Sequence, residues 1–269
     1  MNKKLIANDL DGTTLNQDSM IISKTKETLK KAINAGHHVS IATGRPFRMS
    51  HQFYQQLELT TPMVNFNGAL VHIPNQHWDG ERETLINREI AFEILSQKKQ
   101  LNLDFIAAEN RDTFFIDSFD FFDEKIFASS RPGEKNLLSP KNLTTNPTSL
   151  LVRTDKRFAG AVSAELTRQF GSYVDVRTWG GPTAILEIVS KGIQKAKGVQ
   201  EIANYLSIDQ KDVIAFGDEH NDLELLDYAG WGVAMANGTD QLKGIANDVT
   251  PLSNQEDGLA VYLEKLLKL

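Results

Sequence analysis

The 269-residue chain contains no cysteine. That absence removes disulfides, thiolate metal ligands and every cysteine-nucleophile mechanism, and it fits a reducing compartment. Long apolar runs are missing too, since no stretch approaches the roughly 18 residues needed to span a bilayer. Behind Met1-Asn2-Lys3-Lys4 the apolar segment is only Leu5-Ile6-Ala7 before Asn8-Asp9, too short and too acidic for a signal peptide. Positive charge is not in excess: 29 Lys and Arg stand against 35 Asp and Glu, a net charge of −6. Such a balance speaks against a binder of nucleic-acid backbones. There is no Gly-x-Ser-x-Gly elbow, no Walker loop and no Gly-x-Gly-x-x-Gly fingerprint, so serine hydrolases, P-loop NTPases and dinucleotide oxidoreductases lose their main support. What remains is an ordinary globular composition, 41% hydrophobic and 24% charged. The expectation is a cytoplasmic protein with neither a membrane nor a nucleic-acid partner.

The first seventy residues alternate short apolar runs with helical patterns, which signals βαβ units and a parallel sheet. Leu5-Ile6-Ala7 reads as a buried strand ending at Asp9. Ser23 is placed to cap a helix in which Leu29, Ala32 and Ile33 share a face, closed by Gly36. A second strand over 39–42 ends at Thr43-Gly44-Arg45, with Pro46 suited to the first turn of the next helix. A third, over 63–66, runs into Asn67-Gly68. The rhythm returns late in the chain. Val199, Ile202, Ala203 and Leu206 line a helix, a strand over 213–216 ends at Gly217-Asp218, and another over 231–235 ends at Asn237-Gly238.

Between these parts the pattern changes. A helix-like stretch (88–101), paired strand-like runs (104–107 and 113–117), a strand (150–153), a helix (158–170) and two more strands (173–178 and 184–189) suggest an α+β insert. The predicted fold is therefore α/β: a Rossmann-like parallel-sheet core from residues 1–83 and 189–269, with an inserted α+β domain over 84–188. The excess acid lies mostly outside the insert. Seven of the fourteen Phe fall between Phe105 and Phe127 and are read mainly as the insert's own core, with a few available to face a cleft. His37 and His38, in a turn before a strand, are read as surface residues.

The informative feature is where polar residues fall. Five candidate strands end in Asp9, Thr43, Asn67, Asp218 and Asn237, and ligands of open parallel sheets bind beyond the carboxyl ends of the strands. Asp9-Leu10-Asp11-Gly12-Thr13 is the strongest motif, expected by chance in roughly one chain of this length in several hundred. Gly217-Asp218-Glu219-His220-Asn221-Asp222 follows another buried strand. Two like charges about 4 Å apart repel by roughly 4 kcal/mol at an effective dielectric of 20. A hard cation with oxygen ligands relieves that repulsion, and Mg²⁺ suits one or two carboxylates plus a phosphate oxygen.

With Lys195 and Met235-Ala236-Asn237 added, these motifs resemble the haloacid dehalogenase superfamily, and within it the Cof-type phosphatases with a type IIB cap. The resemblance spans nearly the whole chain. It implies that Asp9 is the nucleophile, forming an aspartyl-phosphate, and that Asp11 serves as acid and then base. It implies phosphate contacts from Leu10, Thr43, Gly44, Lys195 and Asn221. Lys195 is chosen over Lys191 and Lys197 by the family spacing that runs from Glu187-Ile188 through Lys191-Gly192. The implied Mg²⁺ ligands are Asp9, the Asp11 backbone carbonyl and Asp218, oriented by Asp222 and Asn221. Arg45 is left between an anionic substrate and an ion pair, and His220 is read as solvent-facing. Asn8 stands where the family often has an apolar residue. The implied function is a Mg²⁺-dependent phosphatase of small phosphorylated metabolites, sugar phosphates foremost, with the cap closing over the site. Rival readings are a phosphosugar mutase and a non-catalytic sugar-phosphate sensor. The chain is expected as a monomer or small homo-oligomer whose partner is the phosphorylated substrate.

Overall fold

A computed structural model describes residues 2–127, 132–178 and 184–269. Residue 1 of the predicted core and residues 128–131 and 179–183 of the predicted insert lie outside the described residues. The strands are β1 (Leu5–Asn8), β2 (His38–Ile41), β3 (Met63–Asn65), β4 (Leu70–His72), β5 (Arg82–Glu83), β6 (Leu103–Glu109), β7 (Phe114–Ile116), β8 (Ser149–Thr154), β9 (Val174–Thr178), β10 (Ile185–Ser190), β11 (Val213–Gly217), β12 (Trp231–Ala234) and β13 (Asp248–Val249). The helices are α1 (Ser23–Asn34), α2 (Phe47–Gln56), α3 (Arg88–Ser96), α4 (Glu124–Phe127), α5 (Lys156–Phe170), α6 (Lys195–Tyr205), α7 (Leu223–Tyr228), α8 (Asp240–Ile245) and α9 (Gly258–Leu267). Among the described residues no helix is long and apolar enough to cross a membrane.

The chain divides into two compact units. The first comprises the segment up to Arg45, Ser50–Arg82 and Gln194–Leu269; the second comprises Pro46–Met49 and Glu83–Ile193. In the first, a parallel sheet has the order β13-β12-β11-β1-β2. β1 is central, and Leu5, Ile6 and Ala7 are wholly buried, as a strand covered on both faces requires. On one face Leu5, Ala7, Val213 and Ala215 pack with Val199, Ile202 and Ala203 of α6 and Leu225 and Leu226 of α7.

The third strand differs from its prediction. β3 runs antiparallel to β4, pairing Met63 with His72 and Asn65 with Leu70. Among the described residues it touches the parallel sheet through one bridge, Ala42 to Val64. Left-handed backbone at Phe66, Asn67 and Gly68 reverses the chain after three residues, so the strand stops where the turn begins. Two local readings also shift. Ser23 is the first residue of α1, with Ile22 at the cap position and no side-chain cap. His37 is buried rather than on the surface, because its Nδ1 accepts the Lys4 N–H at 3.1 Å.

The second unit is an antiparallel sheet, β7-β6-β8-β10-β9. Its two faces follow the two-residue period of a strand. Ile106, Ala108, Leu150, Val152, Leu186 and Ile188 face a cluster with Ile90 and Ile94 of α3 and Leu166 of α5. Phe105, Ala107, Leu151 and Ile185 belong to a separate cluster with Phe114 and Phe127. α3 stops at Ser96 rather than 101, and Asn102 adopts φ 52° before β6 begins. Val189 and Ser190 complete β10, which carries this unit past the predicted limit of 188. Pro46–Met49 group with it, and there Arg48 pairs with the buried Glu109.

Candidate active site

β1 delivers Asp9 at its carboxyl end, fastened to β11 by the Asp9 N–H to Phe216 carbonyl bond of 3.1 Å. The chain then turns sharply, with Gly12 at φ 70°. A Cβ at Gly12 would lie 2.0 Å from Asp218 Oδ2, so glycine is required by the turn and by the carboxylate packed against it. Thr13 Oγ1 donates to Asp218 Oδ1 at 3.1 Å, and Asn237 Nδ2 donates to the Gly12 carbonyl at 2.8 Å. Thus the end of β11 and the loop after β12 both hold the turn after β1.

Lys195 opens α6, and its side chain is completely buried. Its Nζ donates to Asp9 Oδ1 and to Asp222 Oδ1, each at 2.8 Å. Asp222 Oδ2 accepts the backbone N–H groups of Asp218 (3.1 Å) and Glu219 (3.2 Å). Both Asp222 oxygens are therefore engaged by the protein. One oxygen from each of Asp9, Asp218 and Asp222 lies within 4.8 Å of the others. Burial, with help from neighbouring carboxylates, pushes Asp9 up to about 7 despite the adjacent ammonium. Burial first, then Asp9 and Asp222, push Asp218 up to about 8. Burial alone would lower the Lys195 pKa, but the two carboxylates, Asp222 foremost, raise it above its ordinary value. With all three carboxylates ionised, one fixed cation leaves negative charge uncompensated. Oxygen donors on Asp9 and Asp218 fit a hard divalent cation, and Asp222 fits the task of orienting Lys195 and the loop.

The phosphate-contact candidates lie on neighbouring turns. Thr43 is buried, its N–H bonded to the Val64 carbonyl at 3.0 Å and its Oγ1 accepting the Arg45 N–H at 3.1 Å. Leu10 is buried in the turn after Asp9. Asn221 Nδ2 donates to Asn67 Oδ1 at 2.9 Å, and the Asn67 N–H bonds to the Thr43 carbonyl at 3.1 Å. A Cβ at Gly44 would lie 3.0 Å from Asn67 Nδ2. Asn67 therefore sits among Thr43, Gly44 and Asn221. The sequence marks Asn67 as a polar strand end on the ligand side of the sheet, but its pairing with Asn221 leaves no local signal.

Asp11 is placed differently from the other carboxylates. Its side chain is 59% exposed and lies in the fork of Arg45, with Nε to Oδ2 at 2.7 Å and Nη2 to Oδ1 at 2.5 Å. Arg45 is thus in an ion pair. His220 is partly exposed beside Glu219 and outside the carboxylate cluster.

The model of the haloacid dehalogenase-like hydrolases matches residues 6–263. A curated relative from Bacillus subtilis (strain 168), 5-amino-6-(5-phospho-D-ribitylamino)uracil phosphatase YitU, is 38% identical over 98% of each chain. A second protein of that organism, 5-amino-6-(5-phospho-D-ribitylamino)uracil phosphatase YwtE, is 25% identical over 98% of each. A crystal structure of a haloacid dehalogenase-like hydrolase from Bacteroides thetaiotaomicron superposes with a TM-score of 0.85 at 25% identity, covering 98% of this chain and 100% of that one. A near-complete family match, laid over a buried lysine that bridges the strand-end Asp9 and Asp222 of the loop after β11, shows that the chain belongs to the haloacid dehalogenase-like hydrolases and is a phosphatase of that family.

Proposed function

We propose that the chain is a Mg²⁺-dependent phosphatase of small phosphorylated metabolites, with phosphorylated sugars and sugar alcohols as the substrate class. The carrying observation is the Lys195 ammonium held at 2.8 Å from both Asp9 and Asp222, beside the second strand-end carboxylate of Asp218. In this reading an Asp9 carboxylate oxygen attacks phosphorus, the bond from phosphorus to the leaving oxygen breaks, and Asp11, released from the Arg45 fork and protonated, gives that oxygen a proton. Water, losing a proton to Asp11, then attacks the aspartyl-phosphate, releasing phosphate and restoring Asp9. Lys195 needs no reorganisation to face the charge, which is the condition for electrostatic stabilisation. Thr43, Gly44, Asn221 and the Leu10 segment would receive the phosphoryl oxygens. Asp9, Asp218 and the Asp11 carbonyl would hold Mg²⁺, which when bound supplies further positive charge at those oxygens.

The substrate class has support from the Bacillus subtilis relative, whose named substrate carries its phosphate on a ribityl chain. The test is phosphate release from that compound, from hexose and pentose phosphates and from nucleotides, with Mg²⁺ and with chelator. Sugar and sugar-alcohol phosphates should be hydrolysed fastest and only with the cation; a clear preference for nucleotides overturns the substrate class. Asp9→Asn should lower turnover by about three orders of magnitude or more while leaving the fold intact. Near-native phosphate release from the purified variant would remove Asp9 as nucleophile.

A further inference from the structure

We infer that Asn67 is a positioning residue that sets Asn221 and the Thr43-Gly44 turn for the phosphoryl group, and that the strained loop carrying it exists for this purpose. The inference rests on the phosphatase reading of the site and adds a residue to it.

Phe66, Asn67 and Gly68 have φ of 49°, 54° and 110°. Three successive residues in the left-handed region are unusual, and an aromatic residue there is strained. Such backbone persists only where the surroundings over-determine it, and here they do. Phe66 is wholly buried. Asn65, just before the loop, is also buried, and its Nδ2 donates to the Arg45 carbonyl and to Ser50 Oγ, each at 2.8 Å. With both amide hydrogens used, its Oδ1 accepts from His72 Nε2 at 3.0 Å, which makes that nitrogen the protonated one. At the far end of the loop a Cβ on Gly68 would lie 2.4 Å from the Gln194 carbonyl, immediately before Lys195. The loop is anchored on one side by a buried polar ladder and on the other by the start of α6.

Between those anchors Asn67 reaches two other segments. Its N–H bonds to the Thr43 carbonyl, its Oδ1 accepts from Asn221 Nδ2, and its amide nitrogen stacks on Gly44 where a side chain would otherwise be. With its Nδ2 held by the Asn67 Oδ1, the Asn221 amide is fixed in one orientation. Asparagine suits the position twice over, since it tolerates the left-handed region and carries the acceptor.

Substitution separates those two properties. Asn67→Gly keeps the backbone conformation and removes the acceptor; Asn67→Ala removes the acceptor and adds strain. For the Mg²⁺-loaded enzyme with p-nitrophenyl phosphate, Asn67→Gly should raise KM, and the inhibition constant of inorganic phosphate, roughly five- to tenfold. Its kcat should change less than about twofold, and its melting temperature should stay near wild type. Asn67→Ala should show the same KM with a lower melting temperature. Asn221→Ala should raise KM at least as much as Asn67→Gly, and the double variant should be no worse than Asn221→Ala alone, because Asn67 acts through Asn221. Wild-type KM and phosphate inhibition in Asn67→Gly, or effects that multiply in the double variant, would overturn the inference. If instead Asp9→Asn stays active, the phosphatase reading falls and this inference falls with it. An inactive Asp9→Asn beside a neutral Asn67→Gly rejects the role of Asn67 alone.

Discussion

Asn8 and Gly12 sit on either side of Asp9 and Asp11 and show opposite economies. Asn8 is 1% exposed, and among the described residues neither its Oδ1 nor its Nδ2 has a hydrogen-bond partner. An orphaned buried amide costs about 1–3 kcal/mol. Asn8→Val places a β-branched apolar group in a central strand and should raise stability by about 1–2 kcal/mol in urea unfolding, with phosphate release unchanged. A lower midpoint would mean that the amide is satisfied in solution. Gly12→Ala should do the reverse. Its Cβ needs the space of the Asp218 carboxylate and adds about 1 kcal/mol or more of left-handed strain, so Mg²⁺-dependent turnover should fall at least tenfold. Asp9, Asp11 and Gly12 were legible because the motif is contiguous. The pairing of Asn67 with Asn221 joins residues 154 positions apart, and no local pattern announces it.

Among the elements, the readable ones were long or continuously apolar. β1 opens with three apolar residues before Asn8 and β11 is apolar throughout, and β6, β8 and β10 alternate between two clusters. β4 and β13 have three and two residues, too short for any periodicity to rise above composition. α2 was placed by its proline, but the role of its first turn was invisible. Arg48 Nη2 pairs with Glu109 Oε1, and the Glu109 side chain is only 2% exposed. Arg48→Met should destabilise by about 3–5 kcal/mol, because it leaves a buried carboxylate alone. Arg48→Met with Glu109→Met should recover most of that loss. Denaturant unfolding followed through the second unit decides it; a mild single effect would show that Glu109 finds another donor.

For the whole molecule, every member of the carboxylate cluster belongs to the first unit, although the chain leaves that unit and returns between Asp9 and Lys195. The crowded charge should make the fold respond to the cation. Mg²⁺ at a hundredfold over its dissociation constant should stabilise by about 2.7 kcal/mol, read as a rise in melting temperature that chelator reverses. Asp218→Asn should abolish most of that rise. An unchanged melting curve with Mg²⁺ would argue against a cation site at these residues.

The central place of β1 has a consequence for biosynthesis. Its register partner Leu5↔His38 is made early, but Leu5↔Val213 closes only after the whole second unit has been translated. At about 5–20 residues per second, that interval is on the order of ten to forty seconds. During it the nascent chain carries an apolar strand with one open hydrogen-bonding edge, a template for mispairing with other chains. Ribosome-associated chaperones, or slower growth at lower temperature, should therefore govern how much of this protein is recovered intact.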